Sequence, residues 1–182
     1  RISIDRLALE LGVSQTPIRE ALTMLEAIGL VARRLYSGYW CAPQLLRSQI
    51  DDLFAVRLLL EPYAARTAAE RMSDADMIAL ARHVETMEPA NDALNYDDYA
   101  DRDAELHDII ARSSGNAIIH DALGRLHSHL HIFRLKSSSE VTTEASREHA
   151  AIVEALARHD GDAAEAAMQM HLRHSYQRLI NG

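Results

Sequence analysis

Four residues of this chain have the types and the spacing of a metal site: Asp103, His107, His149 and His171. Asp103 and His107 are four positions apart, so a helix places a carboxylate and an imidazole on one face. His149 and His171 each lie 11 residues from Asp160, at the centre of a turn signal. An antiparallel helical hairpin with equal arms would bring both imidazoles to the same height, roughly 16 Å from the turn.

Three imidazoles and one carboxylate are a ligand set for a late divalent metal. Zinc fits best, with nickel and manganese as alternatives, and coordination positions would remain for solvent or a ligand. A purely structural metal that clamps the helices is the other interpretation. Glu148 is a candidate to orient a ligating histidine, although it is equally a surface acid beside Arg147. The alternating histidines 127, 129 and 131 are a weaker set, because a helix points such side chains in different directions.

Two arginines are candidates for holding an anionic ligand beside the metal. Arg57 lies on an apolar helical stripe with Ile50 and Phe54, and a buried guanidinium needs a partner. An ion pair with Glu61, four residues later, is favoured slightly over direct ligand binding. Arg134 is a second candidate, and its alternative role is a cation at a helix C-terminus. A metal and one or two arginines together would bind a small carboxylate.

Helices must position these residues. Beyond a linker from Pro43 to Arg47, strand signals vanish and helical periodicity with turn residues predicts six helices. Their predicted ranges are 48–72, 74–88, 96–113, 116–136, 140–158 and 161–180. The sequence therefore predicts an all-α bundle over residues 46–182, with seven helices as the alternative count.

Composition and charge restrict the class of protein. The 182 residues carry a net charge of −8, with one cysteine, which excludes an internal disulfide and fits a reducing cytoplasm. No apolar run approaches the ~20 residues that span a bilayer, so a membrane is not an expected partner. The sequence starts at Arg1 without a methionine, and we expect the natural N-terminus to lie further upstream.

The first 45 residues have a different pattern from the rest. Five arginines against four acidic residues give them a net charge of +1, which leaves −9 for the remainder. Ser3 and Gly12 are the predicted ends of a short helix, and a second helix follows Ser14. Two short strands, 30–34 and 39–42, then form a predicted hairpin. Helix, turn, helix and hairpin predict a winged helix-turn-helix over residues 1–45.

In such a head the second helix enters the major groove of DNA by its N-terminus. The residues predicted to contact DNA are Ser14, Gln15, Thr16 and Arg19 of that helix and Gly38 of the wing. Gln15 suits adenine, and Arg19 suits guanine or a phosphate. Alternatively, Thr16 and Pro17 only start a helix and Arg19 pairs with an acid of its own helix. A single head of charge +1 would bind DNA weakly, which favours a homodimer on a palindromic operator.

Both halves of the chain resemble one known family, the GntR-family transcription regulators of the FadR type. The matching pieces are Gly12–Leu22, Leu25–Val31, Arg57–Glu61, Asp103 with His107, Ser114–Asn116, Glu148–His149, and Gly161–Ala163 ahead of His171. With six helices in its body, the chain resembles the VanR-like subgroup of this family. The resemblance also implies a further helix before Arg1. Ile4, Asp5 and Gln15 depart from the family pattern and remove positive charge near DNA.

The resemblance implies a cytoplasmic, metabolite-responsive regulator, usually a repressor, that an organic acid releases from double-stranded operator DNA. Ligand binding would repack the bundle and change the spacing of the two heads through residues 43–47. Two other functions are compatible with the residues. One is a metal-dependent hydrolase, for which no convincing general base is apparent. The other is a ligand-binding module whose head no longer binds DNA.

Overall fold

The computed structural model of the protein describes residues 1–27, 29–43, 45–87, 96–130 and 139–181. The N-terminal part, which we call the head, holds two helices and one hairpin. They are α1 (Ile4–Leu11), α2 (Gln15–Ala27), β1 (Val31–Arg34) and β2 (Gly38–Cys41).

Local sequence determines where the head helices begin and end. The Ser3 side chain accepts a hydrogen bond from the Arg6 backbone N–H at 3.3 Å, which caps α1. Gly12 has φ +66°, the left-handed conformation that glycine adopts without strain at a helix end. Both predicted ends of this helix are confirmed, and α2 begins one residue after Ser14, as predicted.

The two head strands pair antiparallel, and Val31 lies opposite Cys41. Ile18 and Leu22 of α2 pack with Val31 and Tyr39 in a small buried core. Because α2 is held on this core by its buried stripe, its opposite face is left to solvent. The predicted winged helix-turn-helix is confirmed over the described head residues.

Six helices follow in the C-terminal part, which we call the body. They are α3 (Arg47–Arg71), α4 (Asp74–Glu85), α5 (Tyr96–Ser113), α6 (Ala117–Leu130), α7 (Ser139–Ala157) and α8 (Gly161–Asn181). The predicted six-helix body is confirmed within the described ranges. The predicted end of the second body helix near residue 88 is wrong. Helix α4 ends at Glu85, where the Thr86 and Met87 N–H groups donate to carbonyls three residues back, at 3.1 and 2.9 Å. The predicted end of α6 at residue 136 lies outside the described residues.

Helix α3 is the central element of the body, and it packs against α5, α6, α7 and α8. Four of its alanines, Ala64, Ala65, Ala68 and Ala69, are essentially fully buried. Small side chains let neighbouring helices approach closely, so α3 can contact four helices at once. Leu106, Ile152 and Leu172 of α5, α7 and α8 complete the same core.

The α7–α8 hairpin has the tight turn that the sequence predicts. The Asp160 carboxylate accepts a hydrogen bond from the Ala163 N–H at 3.0 Å and caps α8. At Gly161 a Cβ atom would lie 3.2 Å from the Arg66 carbonyl oxygen. Glycine therefore lets the start of α8 lie directly against α3.

None of the described helices combines the length and the apolar character that a bilayer crossing requires.

Candidate functional site

The structure brings Asp103, His107, His149 and His171 together in the core of the body. One potential ligand atom from each of the four lies within 4.8 Å of the others. All four side chains are buried, with residue exposures between 0 and 4%. Helix α5 supplies the first two residues one turn apart, and α7 and α8 supply one histidine each. We call these four residues the cluster.

The hairpin argument explains how two distant histidines meet. The ring centroids of His149 and His171 are 4.5 Å apart across the α7–α8 hairpin. The His107 ring lies 5.2 Å from the His171 ring and 6.0 Å from the His149 ring. Equal arms on either side of Asp160 therefore do place both imidazoles at one level.

These four side chains are spaced so that they could hold one ion between them. His149 Nε2 lies 3.2 Å from Asp103 Oδ1. Two atoms that each lie about 2.1 Å from one ion in tetrahedral or octahedral geometry are separated by roughly 3.0–3.4 Å. Neither ring nitrogen of His149 makes a hydrogen bond within the described chain, although the residue is fully buried. A buried imidazole that makes no hydrogen bond is costly unless something occupies the space between the rings.

The Glu148 carboxylate orients one histidine of the cluster. The Nδ1 atom of His171 lies 2.9 Å from Glu148 Oε2, so Nδ1–H donates to the carboxylate and Nε2 keeps its lone pair. Burial, followed by the neighbouring His149, lowers the pKa of His171 to about 3. His171 is therefore neutral at pH 7, which is the form that binds a metal.

Glu61 lies close to a second histidine of the cluster. Its Oε2 atom lies 2.6 Å from His107 Nδ1, and both side chains are buried. Burial lowers the pKa of His107 more than the Glu61 carboxylate raises it, so this imidazole is also neutral. Two carboxylates on the outer side of the cluster thus hold two imidazoles with Nε2 directed away from them.

The Glu148 carboxylate accepts hydrogen bonds from three side chains of α8. Besides His171, it accepts from His174 Nδ1 at 2.8 Å and from both Nη atoms of Arg178 at 2.8 and 2.7 Å. Burial would raise the pKa of this carboxyl, but these hydrogen bonds outweigh burial and hold the pKa below its usual range. Sequence reasoning missed His174 and Arg178, yet positions 171, 174 and 178 share one helix face, a spacing that predicts such contacts.

Arg57 is buried and pairs with Glu61 through Nε–Oε1 and through Nη2–Oε2 at 3.3 Å. The favoured expectation, an internal ion pair, agrees with these contacts. Its Nη1 atom, however, is buried without a hydrogen-bond partner in the described chain. Arg134 and the histidines at 127, 129 and 131 cannot be placed, because their side chains lie outside the described residues.

The residues predicted to contact DNA lie on the surface of the head. Ser14, Gln15, Thr16 and Arg19 are all exposed at the start of α2. Gly38, with φ +79°, is exposed where β2 begins. The alternative ion pair of Arg19 with Glu20 or Glu26 does not form within the described residues.

Comparison with known families gives two matches along this chain. The FCD domain matches residues 52–174, which include the whole cluster. The bacterial regulatory proteins of the gntR family match residues 1–39, which include α1, α2 and most of the hairpin.

Two relatives are transcriptional repressors by name. The repressor RspR of Escherichia coli is 25% identical over 174 residues, which are 94% of this chain and 76% of the relative. A probable D-xylose utilization operon repressor of Paenarthrobacter nicotinovorans is 29% identical over 167 residues, which are 91% and 73% of the two chains.

Solved structures show the same fold. McbR/YncC of Escherichia coli superposes with a TM-score of 0.86 at 20% identity, over 99% of this chain and 86% of its own. The metal-free FCD domain of the regulator TM0439 has a TM-score of 0.64 at 17% identity, over 76% of this chain and 96% of its own. The families and relatives matched are transcription regulators, which gives no support to a hydrolase. This chain therefore belongs to the gntR family of bacterial regulatory proteins, in the branch that carries an FCD effector domain.

Proposed function

We propose that this regulator is a repressor whose release from operator DNA depends on a small carboxylate bound at a metal in the body. Residues 1–45 bind DNA, and residues 46–182 bind the metal and the effector. The observation that carries the proposal is the buried cluster of one carboxylate and three imidazoles, two of them held by carboxylates on their outer side.

Asp103, His107, His149 and His171 would hold the metal. The donor set suits zinc first, with nickel or manganese as alternatives. When bound, the ion would supply a Lewis-acidic position for one carboxylate oxygen of the effector. Glu61 and Glu148 fix the histidine tautomers that leave Nε2 available.

Arg57 supports an anionic effector. Its guanidinium is 1% exposed and shares Glu61 with the ligand His107, so it belongs to the immediate surroundings of the cluster. Its unpartnered Nη1 donor would be satisfied by a carboxylate oxygen of the effector. In this proposal Arg57 is both an ion-pair partner and a ligand contact. Arg134 remains a second predicted contact.

A homodimer on a palindromic operator is the second part of the proposal, and the outer face of α3 supports it. Val56, Leu59 and Tyr63 lie on the side opposite the core, with exposures of 41, 75 and 48%. A helix that is apolar on its outer face as well as its core face is normally covered on both. We call these three residues the α3 stripe.

Charges beside the α3 stripe fit a second copy of this chain. Asp52 and Arg66 each lie seven residues from Leu59, on the same helix face. A two-fold axis at Leu59 that pairs α3 antiparallel with its copy would place Asp52 opposite Arg66 of the second copy. Asp52 makes no ion pair within the described chain. Arg66 Nη1 already pairs with Asp162 at 2.8 Å and with Glu165 at 2.9 Å, but its side chain is still 44% exposed.

Helix α8 would connect the cluster to the start of α3, next to the linker. The Tyr176 hydroxyl donates to Asp51 Oδ1 at 2.7 Å and accepts from Arg47 Nη2 at 2.9 Å. Leu45 of the linker packs in the same group as Phe54 and Tyr176. A shift of α8 at His171 would therefore also move Tyr176, five residues later, and with it the start of α3, the helix that leads to the head.

Two measurements with the purified chain test this function. Selection of bound sequences from random double-stranded DNA should enrich a palindromic motif, and metal analysis after purification should find one zinc per chain. No enriched motif would overturn DNA binding by this head. A protein that neither contains nor takes up zinc, nickel or manganese would overturn the metal site.

A further inference from the structure

The DNA-facing surface of the head carries a row of three polar side chains that are bonded to one another. Gln15 Nε2 donates to Asp5 Oδ1 at 2.5 Å, and Arg19 Nη2 donates to Gln15 Oε1 at 3.4 Å. Asp5 lies in the first turn of α1, whereas Gln15 and Arg19 lie one turn apart at the start of α2. The row therefore links the two helices of the helix-turn-helix.

The bonds to Gln15 define which end of its amide points where. A primary amide has a donor end and an acceptor end of nearly equal shape, and only its neighbours distinguish the two orientations. Asp5 is a carboxylate and accepts only, so it selects the NH₂ end. Arg19 donates only, so it selects the oxygen. Both neighbours thus favour the same orientation.

This orientation matters because a base is recognised by the order of its donors and acceptors. Adenine offers an acceptor at N7 and a donor at N6, and a glutamine amide matches this order in only one rotation. Each partner uses one hydrogen or one lone pair of the amide, so a second hydrogen and a second lone pair remain for a base.

We propose that Asp5 is a specificity-determining residue of the DNA-binding head, which acts by fixing the amide of Gln15 and with it the position of Arg19. The inference rests on the proposed DNA-binding function. A role limited to α1 is the competing explanation, because an acid in the first turn also stabilises a helix through its dipole.

The test uses the full chain and a pool of random double-stranded DNA, followed by affinities for the selected duplex and its single-base variants. Asp5→Ala should lower the discrimination at the base position read by Gln15 by about fivefold or more. Asp5→Asn keeps the shape and an acceptor but adds a donor end, so it selects the Gln15 amide orientation less strictly and should retain only part of this discrimination.

Two further variants separate positioning from charge and from stability. Glu10→Gln removes the charge of another acid of α1. The Glu10 carboxylate pairs with Arg6 at 2.7 Å and not with Gln15. This variant should change overall affinity as Asp5→Asn does while the selected motif stays the same. In a Gln15→Ala background, Asp5→Ala should have no further effect on discrimination.

Each failure has its own meaning. If the wild-type chain enriches no motif, the proposed DNA binding itself is wrong. If a motif is enriched and Asp5→Ala leaves every base preference unchanged, this inference is overturned. The inference is also overturned if Asp5→Ala lowers discrimination by the same factor in the wild-type chain and in the Gln15→Ala background.

Discussion

In the head, the side chains proposed to face DNA are exposed and make few bonds, whereas in the body the cluster is buried and its neighbours are bonded on several sides. The difference follows from what each region is proposed to bind. DNA is a large ligand, and it is met by the surface of one helix and one wing. A metal ion with a small acid requires a dry, positioned site, so its ligands come from three helices and their orientation from two more carboxylates.

The comparison predicts that cluster variants are far more damaging than surface variants of the same chemistry. His149→Ala removes a fully buried ligand and should weaken zinc binding by at least about 100-fold, because loss of a mere outer contact already costs 10- to 100-fold. The measurement is a competition titration with a zinc chelator. His120→Ala is the matched control, since His120 is partly exposed and bonds Asp108 at 2.8 Å. Equal zinc affinity of both variants would contradict the proposed ligand set.

A second prediction concerns the surface that we propose joins two copies of the chain. Leu59→Asp places a charge at the centre of the α3 stripe and should convert the dimer to a monomer in sedimentation experiments. Affinity for the palindromic operator should then fall by about 100-fold, the scale of avidity lost when two linked heads are separated.

Ile118→Asp is the control for Leu59→Asp, because Ile118 is an equally exposed apolar residue, at 82%, on a different helix. A Leu59→Asp chain that remains a dimer would exclude the α3 stripe as the interface.

A smaller effect is expected at the outer side of the cluster. Glu148→Gln keeps the shape of the side chain but weakens the hold on His171, so zinc affinity should fall by about 10-fold. Glu154→Gln, which changes an exposed acid of the same helix bonded to Arg158, should leave zinc affinity unchanged. If both variants lost zinc affinity, the loss would come from the removed negative charge and not from the orientation of His171.

The smallest effect concerns the contact between α8 and the start of α3. Tyr176→Phe removes a hydroxyl that bonds Arg47 and Asp51, at a cost of about 1 kcal/mol in the free energy of unfolding. If this contact transmits the effector signal, the variant should also respond less to effector in operator binding. A response equal to that of the wild-type chain would place the coupling elsewhere.

Much of the head was predictable because its signals are local. Ser3, Gly12 and the spacing of Ile18 and Leu22 define helices by interactions within a few residues. The contact of Asp5 with Gln15 was not predictable, since it depends on how two helices cross.

In the body, the convergence of the cluster could be anticipated from a four-residue spacing and from equal arms around Asp160. Glu61 was anticipated only as the partner of Arg57. Its contact with His107 joins α3 to α5 across 46 positions, and no periodicity reports such a contact. Arg178 is an intermediate case: its helical spacing from His171 was visible, but the carboxylate that both share lies on another helix.

The central claim is that the cluster in the body controls DNA binding by the head, and operator affinity with and without a bound acid tests it most directly. Zinc-loaded wild-type protein and His149→Ala would be titrated on the selected duplex in the presence of hydroxy acids, sugar acids and dicarboxylates. We expect at least one acid to weaken operator binding by the wild-type chain and to have no effect on His149→Ala. If acids bind the zinc-loaded body while operator affinity stays constant for all of them, the cluster does not control DNA binding.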